Sequence, residues 1–102
     1  MPDNEPVTLI NVFEVAAADV DAFLVQWRER AKVMAAAPGF RDSTLHRAMS
    51  SDARFQLVNV AHWDSQETLA AAQANPEFRS RVQATTTRSA ANPAVYQVAV
   101  TL

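Results

Sequence analysis

Residues 7–15 (VTLINVFEV) are rich in β-branched side chains and predict a strand. Its odd positions put Val7, Leu9, Asn11, Phe13 and Val15 on one face; its even positions put Thr8, Ile10, Val12 and Glu14 on the other. Both faces are largely apolar, which predicts a central strand covered on both sides. Over 19–37 the period becomes helical. Val20, Phe23, Leu24, Trp27, Ala31, Met34 and Ala35 share one face, and Arg28, Glu29, Arg30 and Lys32 fall mostly opposite. Asp19 is placed to cap this helix and Pro38-Gly39 to stop it.

Residues 40–49 and 54–63 predict two strands joined by a turn at Ser50-Ser51-Asp52, a β-hairpin. Asp64-Ser65 with Glu67 reads as a capping box opening a helix over 65–74. Asn75-Pro76-Glu77 restarts a third helix, with Phe78 and Val82 turned inward. Residues 85–93 read as a polar loop ending in Asn92-Pro93, and 95–102 (VYQVAVTL) as the last strand. The order β-α-β-β-α(α)-β predicts an α+β fold of the ferredoxin-like, split βαβ type. Its four-stranded antiparallel sheet has helices on one face and strands 1 and 3 in the middle. The helix-free face then carries Ile10, Val12, Val58 and Val60, a large apolar patch if left open. Two sheets packed back to back remove it, so a homodimer, a dimeric α+β barrel, is expected.

At 102 residues the chain is expected to be a single domain, 1–102, with a polar tail over 1–6. No apolar run approaches the roughly 20 residues of a membrane span. The polar start does not resemble a signal peptide, so the expected location is cytoplasmic. The absence of cysteine excludes thiolate metal sites and a cysteine nucleophile. Nine basic and eleven acidic residues are mixed along the chain, with no basic stripe for nucleic acid. A single glycine rules out a glycine-rich phosphate loop. Two histidines without a nearby carboxylate pattern predict no metal site.

Asn11 stands between Leu9 and Phe13, and Asn59 between Leu57 and Ala61, with Trp63 further along the same face. If strands 1 and 3 are neighbours, both amides project toward one space beneath the helices. An unpartnered buried amide costs roughly 2–7 kcal/mol, so each needs a protein group, a water or a ligand. The pattern alone leaves the choice open. Phe23, Trp27, Met34 and Phe78 are candidates for core or pocket wall, and His46 for the pocket lining. His62 alternates away, toward surface or interface.

The turn Pro38-Gly39-Phe40, the segment Phe55-Gln56-Leu57-Val58-Asn59-Val60-Ala61-His62-Trp63-Asp64-Ser65 and the later Pro76-Glu77-Phe78 resemble the antibiotic biosynthesis monooxygenase family, over residues 7–102. One branch, the cofactor-independent oxygenases of aromatic polyketide pathways, has an Asn on strand 1 and an Asn and a Trp on strand 3. These match Asn11, Asn59 and Trp63. The resemblance implies oxidation of an anthrone-type phenol to a quinone by O2, without metal or flavin. Asn11, Asn59 and Trp63 are then catalytic, and Phe23, Trp27, Met34, Phe78 and His46 bind substrate. A haem-degrading branch uses a helix histidine, and the matching stretch, residues 78–83 (FRSRVQ), holds none. Two alternatives stay open: another small-molecule enzyme on this scaffold (a quinol oxygenase, cyclase or isomerase), or a non-catalytic binding dimer.

Overall fold

Strand β1 (Val7–Glu14) lies between β3 (Leu57–Trp63) and β4 (Ala90–Tyr96), and β2 (Phe40–Arg47) flanks β3, with all neighbours antiparallel. The structure is a computed structural model describing residues 5–102, so the first four residues of the tail expected over 1–6 lie outside the described residues. Three helices complete the chain: α1 (Val20–Ala35), α2 (Gln66–Gln73) and α3 (Pro76–Gln83). This is the expected ferredoxin-like α+β fold. Among the described residues, no helix is long and apolar enough to cross a membrane.

The odd face of β1 is the covered one. Val7 and Leu9 pack with Ala61, Trp63, Leu69 and Ala72 near α2, while Phe13 and Val15 pack with Val20, Phe23 and Leu57 near α1. On the other face Ile10, Val12, Val58 and Val60 are only half-buried. The β1–β3 register sets Asn11 directly opposite Asn59. That pairing places both amides on the covered face, because side chains directly opposite on antiparallel strands share a face.

Local chemistry differs from expectation at three places. Asp19 occupies the cap position of α1, but its side chain makes no capping hydrogen bond; a 3₁₀ turn over Ala17–Asp19 leads into the helix instead. The α2 capping box pairs Ser65 with Thr68, whose hydroxyl reaches back to Ser65 N, and not with Glu67. Thr68 stands at the third helical position, where the geometry of the box needs its acceptor. The last strand is Ala90–Tyr96 and not 95–102. Asn92 and Pro93 therefore lie inside it. Proline is tolerated because β4 is an edge strand of this sheet, and opposite it Asn11 repairs the ladder by accepting from Asn92 N (3.1 Å).

Candidate functional site

A cavity of about 240 Å³ opens between the sheet and the helices, floored by Leu9, Asn11 and Phe13 of β1 and Asn59, Ala61 and Trp63 of β3. It exists because alanine stands at several wall positions (Ala31 on α1, Ala61 on β3, Ala91 on β4) between larger neighbours. Its lining is mostly apolar. Engineered apolar cavities of about 150 Å³ hold benzene, so this space admits a small fused aromatic system.

Two motif pieces meet at Trp63. Gly39 adopts φ +88°, a left-handed conformation that favours glycine, and its carbonyl accepts from Asp64 N (2.8 Å). The turn thereby delivers Phe40 edge-on to the Trp63 ring, with centroids 5.4 Å apart and planes at 82°. The indole is 1% exposed, and its Nε1 has no hydrogen-bond partner. A buried donor left unmade costs about 1–3 kcal/mol. Within the protein alone, that penalty goes uncompensated.

The two asparagines are each half satisfied. Asn11 Oδ1 accepts from Asn92 N, and Asn59 Oδ1 accepts from Ser43 Oγ (2.6 Å). With both oxygens taken by protein donors, the amides have their Nδ2 hydrogens to offer. Among the described residues, no Asp, Glu or His lines the cavity. Arg30, Trp63 and the two Asn amides bring donors and Gln73 both a donor and an acceptor, so the set suits a ligand that brings acceptor oxygens.

Trp27, Met34 and Phe78 line the cavity. Phe23 does not: fully buried, it packs against Phe13 (centroids 5.1 Å) behind the wall. His46 does not either. It pairs with Val58 on the opposite face of the sheet and is exposed, because strand alternation points it away from the helices. His62 also lies on that face, 2.5 Å from Asp42.

Arg30 was expected on the polar side of α1, yet it lines the cavity, its guanidinium carbon 5.5 Å from the Phe13 centroid and 5.4 Å from that of Phe23. The signal lay in the spacing: position 30 is three after Trp27 and four before Met34, hence on their face. Burial lowers its pKa from the ordinary guanidinium value by removing the charged form from water.

A broader depression of about 450 Å³ lies between α1 and the α2–α3 pair, but Glu29, Lys32, Glu77 and Arg81 at its rim are engaged in ion pairs with one another. It offers no comparable set of free donors in an apolar enclosure.

The antibiotic biosynthesis monooxygenase family model matches residues 6–84. The chain belongs to this family. A search of curated proteins finds no match. Among solved structures, a presumed monooxygenase from Shewanella loihica PV-4 is 35% identical, with 95% of this chain and 97% of that one covered and a TM-score of 0.81. SnoaB, a cofactor-independent oxygenase from Streptomyces nogalater, is 28% identical, with 96% and 97% covered and the same TM-score of 0.81. MhuD, solved with two manganese protoporphyrin IX molecules per active site, shares the fold at 21% identity and a TM-score of 0.73 over 94% of this chain and 97% of that one.

Of the side-chain types that serve as axial haem ligands, Met34 is the one that lines this cavity among the described residues. No histidine, cysteine or tyrosine lines the cavity, α3 contains none of the three, and no cluster of three metal-ligating side chains occurs among the described residues.

Proposed function

We propose that the chain is a cofactor-independent monooxygenase that oxidises an anthrone-type polycyclic phenol to the quinone with O2, working as a homodimer. The observation that carries this reading is a mostly apolar cavity lined by Trp63, whose buried Nε1 is unpaired, and by two amides whose oxygens are already occupied. Such a site binds an oxyanion better than a neutral carbonyl, which is the requirement for catalysis by preorganised donors.

The chemistry then needs no protein base. Loss of a proton from the anthrone methylene to a water molecule gives a delocalised aromatic enolate, so the substrate itself is the acid, and a proton is returned to the peroxide oxygen once that has formed. Hydrogen bonds from Asn11 and Asn59 favour the enolate, each donor contributing about 3–4 kcal/mol in comparable sites. The enolate passes one electron to O2, and the resulting radical pair forms a carbon–oxygen bond, giving a peroxide. Donation from Trp63 Nε1 stabilises the peroxide oxygen. The second methylene hydrogen leaves as a proton, the O–O bond breaks and water departs, so one O2 yields one quinone oxygen and one water. Trp27, Met34 and Phe78 hold the rings and keep bulk water out.

Support for the dimer comes from the half-buried Ile10, Val12, Val58 and Val60 and from Val98 and Val100, 76% and 75% exposed beyond β4. The oxygenase reading is tested with dithranol, a simple anthrone. Turnover is expected in air, absent under argon and unchanged by EDTA. Turnover under argon, or its loss with EDTA, would overturn it.

A further inference from the structure

Among the described residues, Arg30 is the one cationic side chain that lines the cavity, and none of them matches its charge. Arg41, Arg47, Arg54 and Arg81, all more exposed, pair with Asp64, Asp21, Glu14 and Glu29. For Arg30, among the described residues, no carboxylate lies within ion-pair distance. The faces of Phe13 and Phe23 steady the cation. They accept none of the directional hydrogen bonds that its five N–H groups offer. A half-buried guanidinium with idle donors at the wall of an apolar cavity matches a ligand that brings its own negative charge.

Arg30 and the two amides meet the cavity at different places. Arg30 sits at the Phe13 level, whereas the paired amides sit at Asn11 and Asn59.

We infer that Arg30 makes this cavity selective for aromatic ligands bearing an anionic oxygen, a carboxylate or an ionised phenol, in addition to the oxygen that Asn11 and Asn59 hold. This rests on the cavity being the substrate site of the proposed oxygenase. It goes further by assigning a charge to the ligand and a recognising residue to that charge. Arg30 is a specificity residue at the far end of the ring system from Trp63.

Calorimetric titration needs no turnover and separates the two ideas. The probes are anthraquinone-2-carboxylate against its carboxamide at pH 7, and 2-hydroxyanthraquinone against 2-methoxyanthraquinone at pH 9, where the hydroxyl ionises and the ether cannot. The expected result is at least tenfold tighter binding of one anionic probe than of its neutral counterpart; the pair that shows it distinguishes a carboxylate from a phenolate. Arg30→Met should bring that ratio within twofold, and Arg30→Lys should keep part of it. Circular dichroism establishes that the variants fold, and Arg30→Gln serves if the methionine variant does not. No preference in the unaltered protein, or a preference that survives removal of the guanidinium, overturns the inference. If dithranol is not oxidised but the charge preference stands, the oxygenase reading alone falls. If dithranol is oxidised without any charge preference, this inference alone falls.

Discussion

Ser43 on β2 donates its hydroxyl hydrogen to Asn59 Oδ1 on β3 across 2.6 Å, a diagonal contact on the covered face of the sheet. The bond fixes which end of the amide faces the cavity. Without it the Asn59 side chain is free to turn and present an acceptor to an oxyanion. Ser43→Ala is therefore expected to lower kcat for dithranol severalfold with little change in KM, and to leave the melting temperature nearly unchanged because Ser43 is exposed. Steady-state kinetics and a thermal melt check both. Asn59→Ala removes the donor itself, with an expected loss on the order of 10²–10³ in kcat.

Trp63→Phe tests the idle indole donor while keeping an aromatic ring against Phe40. Deleting an unsatisfied buried N–H removes a penalty of about 1–3 kcal/mol, which opposes the loss of packed ring area. Stability should hold or rise, while dithranol oxidation falls by about tenfold or more. A matching fall in stability and activity would assign Trp63 to packing only.

Phe23 sits behind the cavity wall at 0% exposure. Phe23→Ala should cost about 3–5 kcal/mol in urea unfolding, the usual loss for a large core aromatic. Anthraquinone affinity, corrected for the folded fraction, should change much less than in a variant of the lining residue Phe78.

Gly39→Ala carries two separate penalties. A side chain at φ +88° is strained, and the added carbon would collide with Thr68, the residue that closes the α2 capping box. Adding Thr68→Gly relieves the collision but gives up the Thr68 half of the capping box, so recovery is partial. The double variant is expected to melt above Gly39→Ala alone and below the unaltered protein.

Removing residues 97–102 takes away the exposed Val98 and Val100. In the proposed homodimer this weakens association, with dimer shifting toward monomer in light scattering at equal concentration. An unchanged molar mass would place the dimer contact elsewhere.

The fold was legible because periodicity separates its elements: a two-residue period through Val7–Glu14, a helical one through Val20–Ala35, and Pro38-Gly39 between that helix and the hairpin. The last strand was not, because Asn92-Pro93 carries turn chemistry whose cost is offset only by tertiary context: an edge position and the Asn11 side chain. Asn11, Asn59 and Trp63 stood out as polar or bulky groups on an apolar face, and the register brings the two amides opposite each other. That their oxygens are occupied and their N–H groups idle depends on Ser43 and Asn92, which no spacing rule connects to them. Arg30 was hidden by its type. Its charge suggested solvent, although its angle on the helix pointed inward with Trp27 and Met34. His46 erred the other way, since a loosely alternating strand with a register shift between Phe40 and Asp42 does not reveal which face each residue takes.

The central claim is that this set of hydrogen-bond donors stabilises the anion of an aromatic phenol before oxygen reacts. Anaerobic mixing of the protein with dithranol, followed by its visible absorption, tests this most directly. The account predicts that the bound ligand takes on the long-wavelength spectrum of its enolate, that the spectrum persists until O2 is admitted and then decays to quinone, and that Asn59→Ala leaves the ligand in its neutral form. A bound ligand that keeps the neutral spectrum in the unaltered protein while still being oxidised in air would contradict it.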